Sequence, residues 1–330
     1  LYFYFRFQIL REIKIFPKKY QTFKFLFFGN LIDHILLETT LGLCYDIYDV
    51  MNKISFATDD SNIFERLDKF DPRAYQKSRN HLDGAVSGLS PYITHGLIST
   101  TTVSEYLCKK FNIERSHKFI QELTWREYFL HFLKRNPRAL KNSIKPTIVK
   151  EHVYSRMMPS DVLEGTTGVP IIDYATRFLY EYGYLHNHAR MWLASYIIHY
   201  RKISWQTGAE WMYGYLLDGD LASNHLSWQW VAGTLTGKPY LFNAENVAKY
   251  SSNLKCHGTQ IDKTYSELGE LAYGPKAINP EPLKRRDPAL IPLLFNGITK
   301  VPLKKKPLIK KKIVVCHPWS LFKNEELYDA

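Results

Sequence analysis

The run SHKFIQELTWREYFLHFLKRNP, residues 116–137, limits what this chain can fold into more than any other stretch. It is amphipathic over a length that suits a helix, with Ser116 placed to cap its start and Pro137 to stop it. The pattern returns in PIIDYATRFLYEYGY, where Pro170 stands at a helix start and Gly183 near its end. LHNHARMWLASYIIHYRKI, WQTGAEWMYGYLL and DGDLASNHLSWQW continue it. Strand signals are weak, and no repeat of solenoid period occurs. The expectation is an all-α domain over residues 51–254. It lies between a doubtful N-terminal extension, residues 1–50, and a basic, Pro- and Lys-rich extension, residues 255–330.

Residues 1–50 begin at Leu1 and are aromatic and basic without clean periodicity. They lack the apolar centre and cleavage site of a signal peptide, and their apolar runs are too short to span a bilayer. The expectation is that the functional chain starts at Met51. Cys44, Cys108, Cys256 and Cys316 are scattered and form no C-x-x-C pair, so no disulfide scaffold, zinc finger or other metal site is expected, and a cytoplasmic location fits. Neither G-x-G-x-x-G nor a P-loop occurs, which removes the usual nucleotide cradles. The net charge of +12 is uneven, with +7 from Lys276 to the end. That balance suits nucleic acid or an acidic membrane surface, and equally a solvated surface.

Three helical patterns bring chemistry onto one face. Asp220, Asn224 and Trp228 fall at i, i+4 and i+8, and Glu122, Trp125 and Arg126 at i, i+3 and i+4. Asn187, Arg190 and Met191 repeat the second spacing. An Arg inside so apolar a segment wants a carboxylate, and Asp218 is a candidate. Helix patterning by chance accounts for any one such set. Three together favour a polar and aromatic cavity between helices.

From Phe64 to Tyr250 the chain resembles the FAD-binding domain of the photolyase/cryptochrome family. YQKSR, SGLSPYITHG, FIQELTWREYF, EGTTGVPIIDYATRFLYEYGYLHNHARM, ISWQTGAEW, DGDLASNHLSWQW and PYLFN carry the resemblance in order and spacing. It implies a helical FAD-binding fold, here without the family's N-terminal α/β antenna domain. FAD would be held by Tyr75, by the loop Val86, Ser87, Gly88, Leu89 and Ser90, and by Asn187 and Arg190. Asp218, Gly219, Asp220 and Asn224 would line the flavin. The family's usual Thr-Ser-Arg-Leu-Ser reads Val86-Ser87-Gly88-Leu89-Ser90, so a hydroxyl and a phosphate-binding cation are lost. The expectation is a lower FAD affinity, set against backbone N–H groups that can still serve the phosphates.

On the substrate side the resemblance implies a pocket for a flipped cyclobutane pyrimidine dimer, formed by Glu122, Trp125, Asn187, Met191 and Trp230. Arg79 and Arg126 would contact DNA, while His188 stands where the family has Arg. Core packing is an equal reading of Trp125 or Trp230 taken alone. Trp228 and Trp205 match the inner two members of the family's tryptophan chain. The outer position, in KEHVYSR, offers His152 or Tyr154 and no Trp, with Trp211 as another route. Glu122, Asn224, Trp228 and Trp205 are therefore the expected catalytic set. The implied function is blue-light repair of cyclobutane dimers in DNA, single-stranded by preference, by a monomer free of membrane. The alternative is a light or redox sensor without repair. The basic tail reads equally as a DNA-binding arm and as a solubilising extension.

Overall fold

The structure is a computed structural model that describes residues 60–278, together with Phe56. The expected start at Met51, the extension 1–50, Cys44, Cys316 and the basic runs Lys304–Lys306 and Lys310–Lys312 lie outside the described residues. The chain divides into two units, Leu1–Asn62 and Ile63–Ala330. The helical body belongs to the second.

Among the described residues there is no sheet. The one extended contact is a bridge between Ser155 and Ile203. The all-α expectation holds. The helices are α1 (Asp60–Lys69, which crosses the unit boundary), α2 (Pro72–Ser78), α3 (Ser90–Thr94), α4 (Thr100–Phe111), α5 (Lys118–Arg135) and α6 (Ser160–Glu164). They continue with α7 (Pro170–Tyr182), α8 (Asn187–Ser195), α9 (Trp205–Tyr215), α10 (Leu221–Ala232), α11 (Ala244–Tyr250) and α12 (Tyr265–Tyr273).

Helix α7 starts and stops where its sequence says. Pro170 needs no amide hydrogen at the first turn, and Gly183 takes the left-handed conformation at φ 62°. Its buried face, Ile171, Ile172, Phe178 and Leu179, packs on α8, whose Trp192 and Leu193 are fully buried. Helix α5 starts one residue later than expected. His117 is the cap, its Nδ1 accepting from the Phe119 amide at 3.2 Å, while Ser116 turns to Glu114.

The stretch after Leu185 is not one unbroken helix. At Tyr196–Tyr200 the turn widens, and the Arg201 amide reaches back five residues to the Tyr196 carbonyl at 3.0 Å. The widened turn lets Tyr200 donate its hydroxyl to the Phe242 carbonyl at 2.7 Å. Arg201 meets Asp161 in a buried two-pronged pair at 2.6 and 2.9 Å. Lys202 follows with φ 54°, unusual for a residue with a side chain. Its Nζ donates to the carbonyls of Leu271 and Ala272 at the end of α12. Residues 255–278, read from the sequence as the start of an extension, therefore pack on the helical body, and the Ile278 amide reaches the Tyr200 carbonyl. Cys108 and Cys256 are free thiols.

Candidate functional site

The turn between α9 and α10 places Asp218, whose carboxylate is 3% exposed. Arg190 of α8 directs Nη2 to both its oxygens, at 2.7 and 3.0 Å, so the carboxylate expected for Arg190 is the one present. Ser90 of α3 donates to the same carboxylate at 2.6 Å. Thr94 donates to the Asp218 carbonyl at 3.0 Å, and His95 Nε2 lies 2.9 Å from the Leu217 carbonyl. Tyr184 is buried beside this group under the Arg190 guanidinium. Burial first, and the charge of Asp218 second, push its hydroxyl above the ordinary tyrosine range. Gly219 sits in a tight turn: a Cβ there would stand 3.1 Å from the Leu216 carbonyl oxygen and 3.2 Å from that of Tyr213.

Asp220 is the N-cap of α10, accepting from the Ser223 amide at 2.8 Å, so the expected stripe begins at the cap and continues through Asn224 and Trp228. Asn224 donates its amide to the Ala209 carbonyl of α9 at 2.9 Å, which fixes the carboxamide and leaves its oxygen as an acceptor. Trp228 is buried against Gly208, where a Cβ would stand 2.3 Å from Cζ3 and 2.4 Å from Cη2 of the indole. Trp205 is equally buried and donates to Ser143 at 2.9 Å. It shares a cavity of about 920 Å³ with Tyr154, Lys141, Arg156, Gln206 and Glu210. His152 does not line that cavity. Trp211 instead turns to Tyr180 of α7, donating to its hydroxyl at 3.1 Å.

The loop Val86–Leu89 leads into Ser90 at the start of α3, and Gly88 adopts φ 61°. A Cβ on Gly88 would stand 2.8 Å from Nη1 of Arg66, a residue of α1. The guanidinium also lies over the Tyr92 ring, 5.8 Å from its centroid. A cation thus occupies the space where position 88 lacks a side chain. Sequence reasoning missed Arg66, because the loss at 88 is local and its replacement comes from another helix.

On α5, Glu122 accepts from Arg79 at 3.1 Å and pairs with Lys118 at 2.9 Å. Tyr75 stands beside them, its hydroxyl pushed up to about 12 by burial and then by the charge of Glu122. Arg126 donates to Thr94 at 2.9 Å and lies 3.7 Å from the Asp220 carboxylate, tying this group to the Asp218 turn. Trp125 and Trp230 are 49% and 38% exposed, which rules out core packing for both. They stand on α5 and α10, two helices packed together, and Trp230 meets Tyr240 at 5.7 Å with the ring planes tilted by 30°. Asn187 is exposed and donates to Met191 Sδ at 3.4 Å. His188 is buried between Trp192 and Tyr250. Burial first, then the positive charge of Arg79, bring it down to about 4. It is neutral at pH 7, so it does not restore the cation for which it stands.

These residues fit a flavin dinucleotide. Ser223 carries a buried hydroxyl without a partner on the same turn as Asn224, and Arg190 and Arg66 bring positive charge to the Asp218 turn and to the Gly88 loop. Gly88 and Gly219 keep the backbone bare where a bound group would approach closely. Among the described residues no cluster of His, Cys, Asp or Glu could hold a metal, and no helix is long and apolar enough to cross a membrane.

Known proteins point to the same cofactor. The family model described as the FAD binding domain of DNA photolyase matches residues 119–289. A deoxyribodipyrimidine photo-lyase of Buchnera aphidicola subsp. Baizongia pistaciae is 27% identical over 290 residues, 82% of this chain and 58% of that one. The corresponding protein of Buchnera aphidicola subsp. Acyrthosiphon pisum is 33% identical over 230 residues, 66% of this chain and 47% of that one. A crystal structure of a bacterial class III photolyase from Agrobacterium tumefaciens aligns with a TM-score of 0.52 at 27% identity, over 62% of this chain and 45% of that one. A Synechocystis cryptochrome aligns equally well at 25% identity, over 60% and 44%. The chain spans about half the length of the relatives it matches. With the helical fold and the Asp218 site in place, the chain belongs to the photolyase/cryptochrome family through its FAD-binding domain, and its cofactor is FAD.

Proposed function

We propose that this chain carries the light-driven repair of cyclobutane pyrimidine dimers in DNA. Held by Arg190 and Asp218, reduced FAD would supply the light-driven one-electron chemistry that splits the two ring bonds of the dimer, with no net redox change. Arg190 and Asp218 hold the cofactor's side of the site, and Asn224 offers it an acceptor oxygen. Trp125 and Trp230 give the flipped dimer two indole walls, and Met191 adds an apolar edge. Glu122 and Asn187 bond base edges, with Glu122 held in place by Arg79 and Lys118. Arg79 and Arg126 take phosphate charge. Trp228 and Trp205 stand as the buried relay that would keep the cofactor reduced, with Tyr154 on the cavity at its outer end.

The observation that carries this reading is the exposure of Trp125 and Trp230 on neighbouring helices. Two large indoles left in water are an unfavourable arrangement unless something apolar and planar is to cover them. The test is dimer loss from single-stranded DNA under blue light, with the FAD-loaded protein chemically reduced beforehand. Trp125→Ala should abolish dimer splitting and leave the flavin absorbance in place. If the reduced wild type splits nothing and binds damaged DNA no better than undamaged, the repair reading fails. A sensing role would then take its place, a second reading favoured by the neutral, buried His188 and by the likeness to a cryptochrome.

A further inference from the structure

The aromatic surface on α5 does not end at Trp125. Tyr128 is 49% exposed and meets Trp125 edge-on at 5.4 Å, and Phe132 follows Tyr128 at 6.0 Å. The three rings fall at i, i+3 and i+7, on one side of the helix. The helix rise places Trp125 and Phe132 about 10 Å apart along the axis, about the length of three stacked nucleotides. A soluble helix rarely presents such a row to water without a partner for it.

The charge beside that row has one sign. Residues 128–150 hold six Lys or Arg and no Asp or Glu. Lys134, Arg135, Arg138 and Lys141 are exposed, and none is paired with a carboxylate of a described residue. Lys145 is tied to the Thr236 carbonyl at 2.9 Å, beside exposed Lys238 just past α10. The intervening 3-10 turn, Pro137–Leu140, is fixed to α10 through Gln229, which donates to the Ala139 carbonyl at 2.7 Å. The basic ledge is therefore anchored to the same helix that carries Trp230. Rings with an acid-free basic flank are the combination by which single strands are held: bases stack, and phosphates meet cations.

We infer that Tyr128, Phe132, Arg135 and Arg138 form a track for single-stranded nucleic acid that runs from the Trp125 pocket along α5 onto the Pro137–Leu140 turn. The track rests on the nucleic-acid partner of the proposed function and not on repair. It binds undamaged strand, and it favours single strand over duplex because only unpaired bases offer their faces to the rings.

The experiment uses the full FAD-loaded chain and a fluorescein-labelled, undamaged oligothymidine, with anisotropy read across a salt series and a duplex of equal length for comparison. Tyr128→Ala with Phe132→Ala should weaken single-strand binding by about 30-fold or more, leave the salt slope unchanged and barely affect duplex. Arg135→Glu with Arg138→Glu should flatten the log–log salt slope by about 0.7 for each phosphate deprived of its cation. Flavin absorbance reports folding in every variant. Oligothymidine binding that is unchanged in both pairs overturns the track. Unchanged binding together with self-association of the wild type that the aromatic pair abolishes also overturns it, and assigns the face to a protein partner. Intact oligothymidine binding without dimer splitting sinks the repair reading alone.

Discussion

Arg66 Nη1 lies 2.8 Å from the point where a Cβ on Gly88 would stand, so one residue's cation fills the place of the other's missing side chain. If that cation serves the FAD phosphates, Arg66→Ala should weaken FAD binding by the worth of a charged hydrogen bond, about 1.5–3 kcal/mol, or roughly 10- to 100-fold. Gly88→Arg alone should also weaken FAD binding, since it forces two guanidinium groups together at a positive φ. In the Arg66→Ala background the same change should cost less. Flavin fluorescence on titration with FAD reads all three, and strict additivity would mean the two positions do not share a role.

Asp218→Ala should leave the Arg190 guanidinium without its carboxylate and the Ser90 hydroxyl without its acceptor. Removing one partner of a buried pair costs about 3–5 kcal/mol; the quarter exposure of Arg190 puts this case at the lower end. Urea unfolding of the FAD-free protein measures the loss. An unchanged midpoint would show that water compensates Arg190 fully.

Gly208→Ala should destabilise by about 1–3 kcal/mol, because its methyl would meet the Trp228 ring at 2.3 Å and both helices would have to separate. Trp228 fluorescence should shift in the variant. A neutral substitution with an unshifted spectrum would mean the helices give way freely.

Stability should fall in mild acid. His186, His188 and His199 are buried and brought down to about 4, chiefly by burial. His199 Nε2 lies 2.8 Å from the Val231 carbonyl while its Nδ1 has no partner, so a second proton would be buried unbonded. The folded state therefore binds fewer of these protons than the unfolded chain. Their contribution is complete above the ordinary value of 6.5 and is lost as pH falls through about 4. At about 1.4 kcal/mol per unit, each imidazole accounts for about 3 kcal/mol. Thermal melts between pH 7 and pH 4 should show a steep drop, shallower in His199→Asn. A flat profile would contradict the burial of these rings.

Much of this was legible in the sequence. Pro170 and Gly183 bound α7 by rules that act within one turn, and the need of Arg190 for a carboxylate followed from the apolar residues around it. The cap of α5 was missed by one residue, because Ser116 and His117 can both cap and only the fold decides between them. The wide turn at Tyr196 had no local signal, since it exists to seat Tyr200 on Phe242 and Arg201 on Asp161. The chemistry of His188 was hidden for a similar reason. Its neutrality comes first from burial, between Trp192 and Tyr250 of α11, and then from the charge of Arg79. The basic ledge after α5 was visible as a simple count, but only the exposure of Tyr128 makes it a surface.

Lys202 fixes where this protein can be cut. Its ammonium is buried, is brought down to about 8 by burial, and has the Leu271 and Ala272 carbonyls as its acceptors. A chain ended at residue 254, where the sequence suggests that the helical body stops, would lose both acceptors of Lys202 and the bond from the Ile278 amide to the Tyr200 carbonyl. The shortened protein would be a poorly folded one, whereas a cut just past Ile278 would leave every one of these bonds in place. Proteases acting on the native protein should accordingly spare residues 255–278, however much that stretch reads as a loose tail.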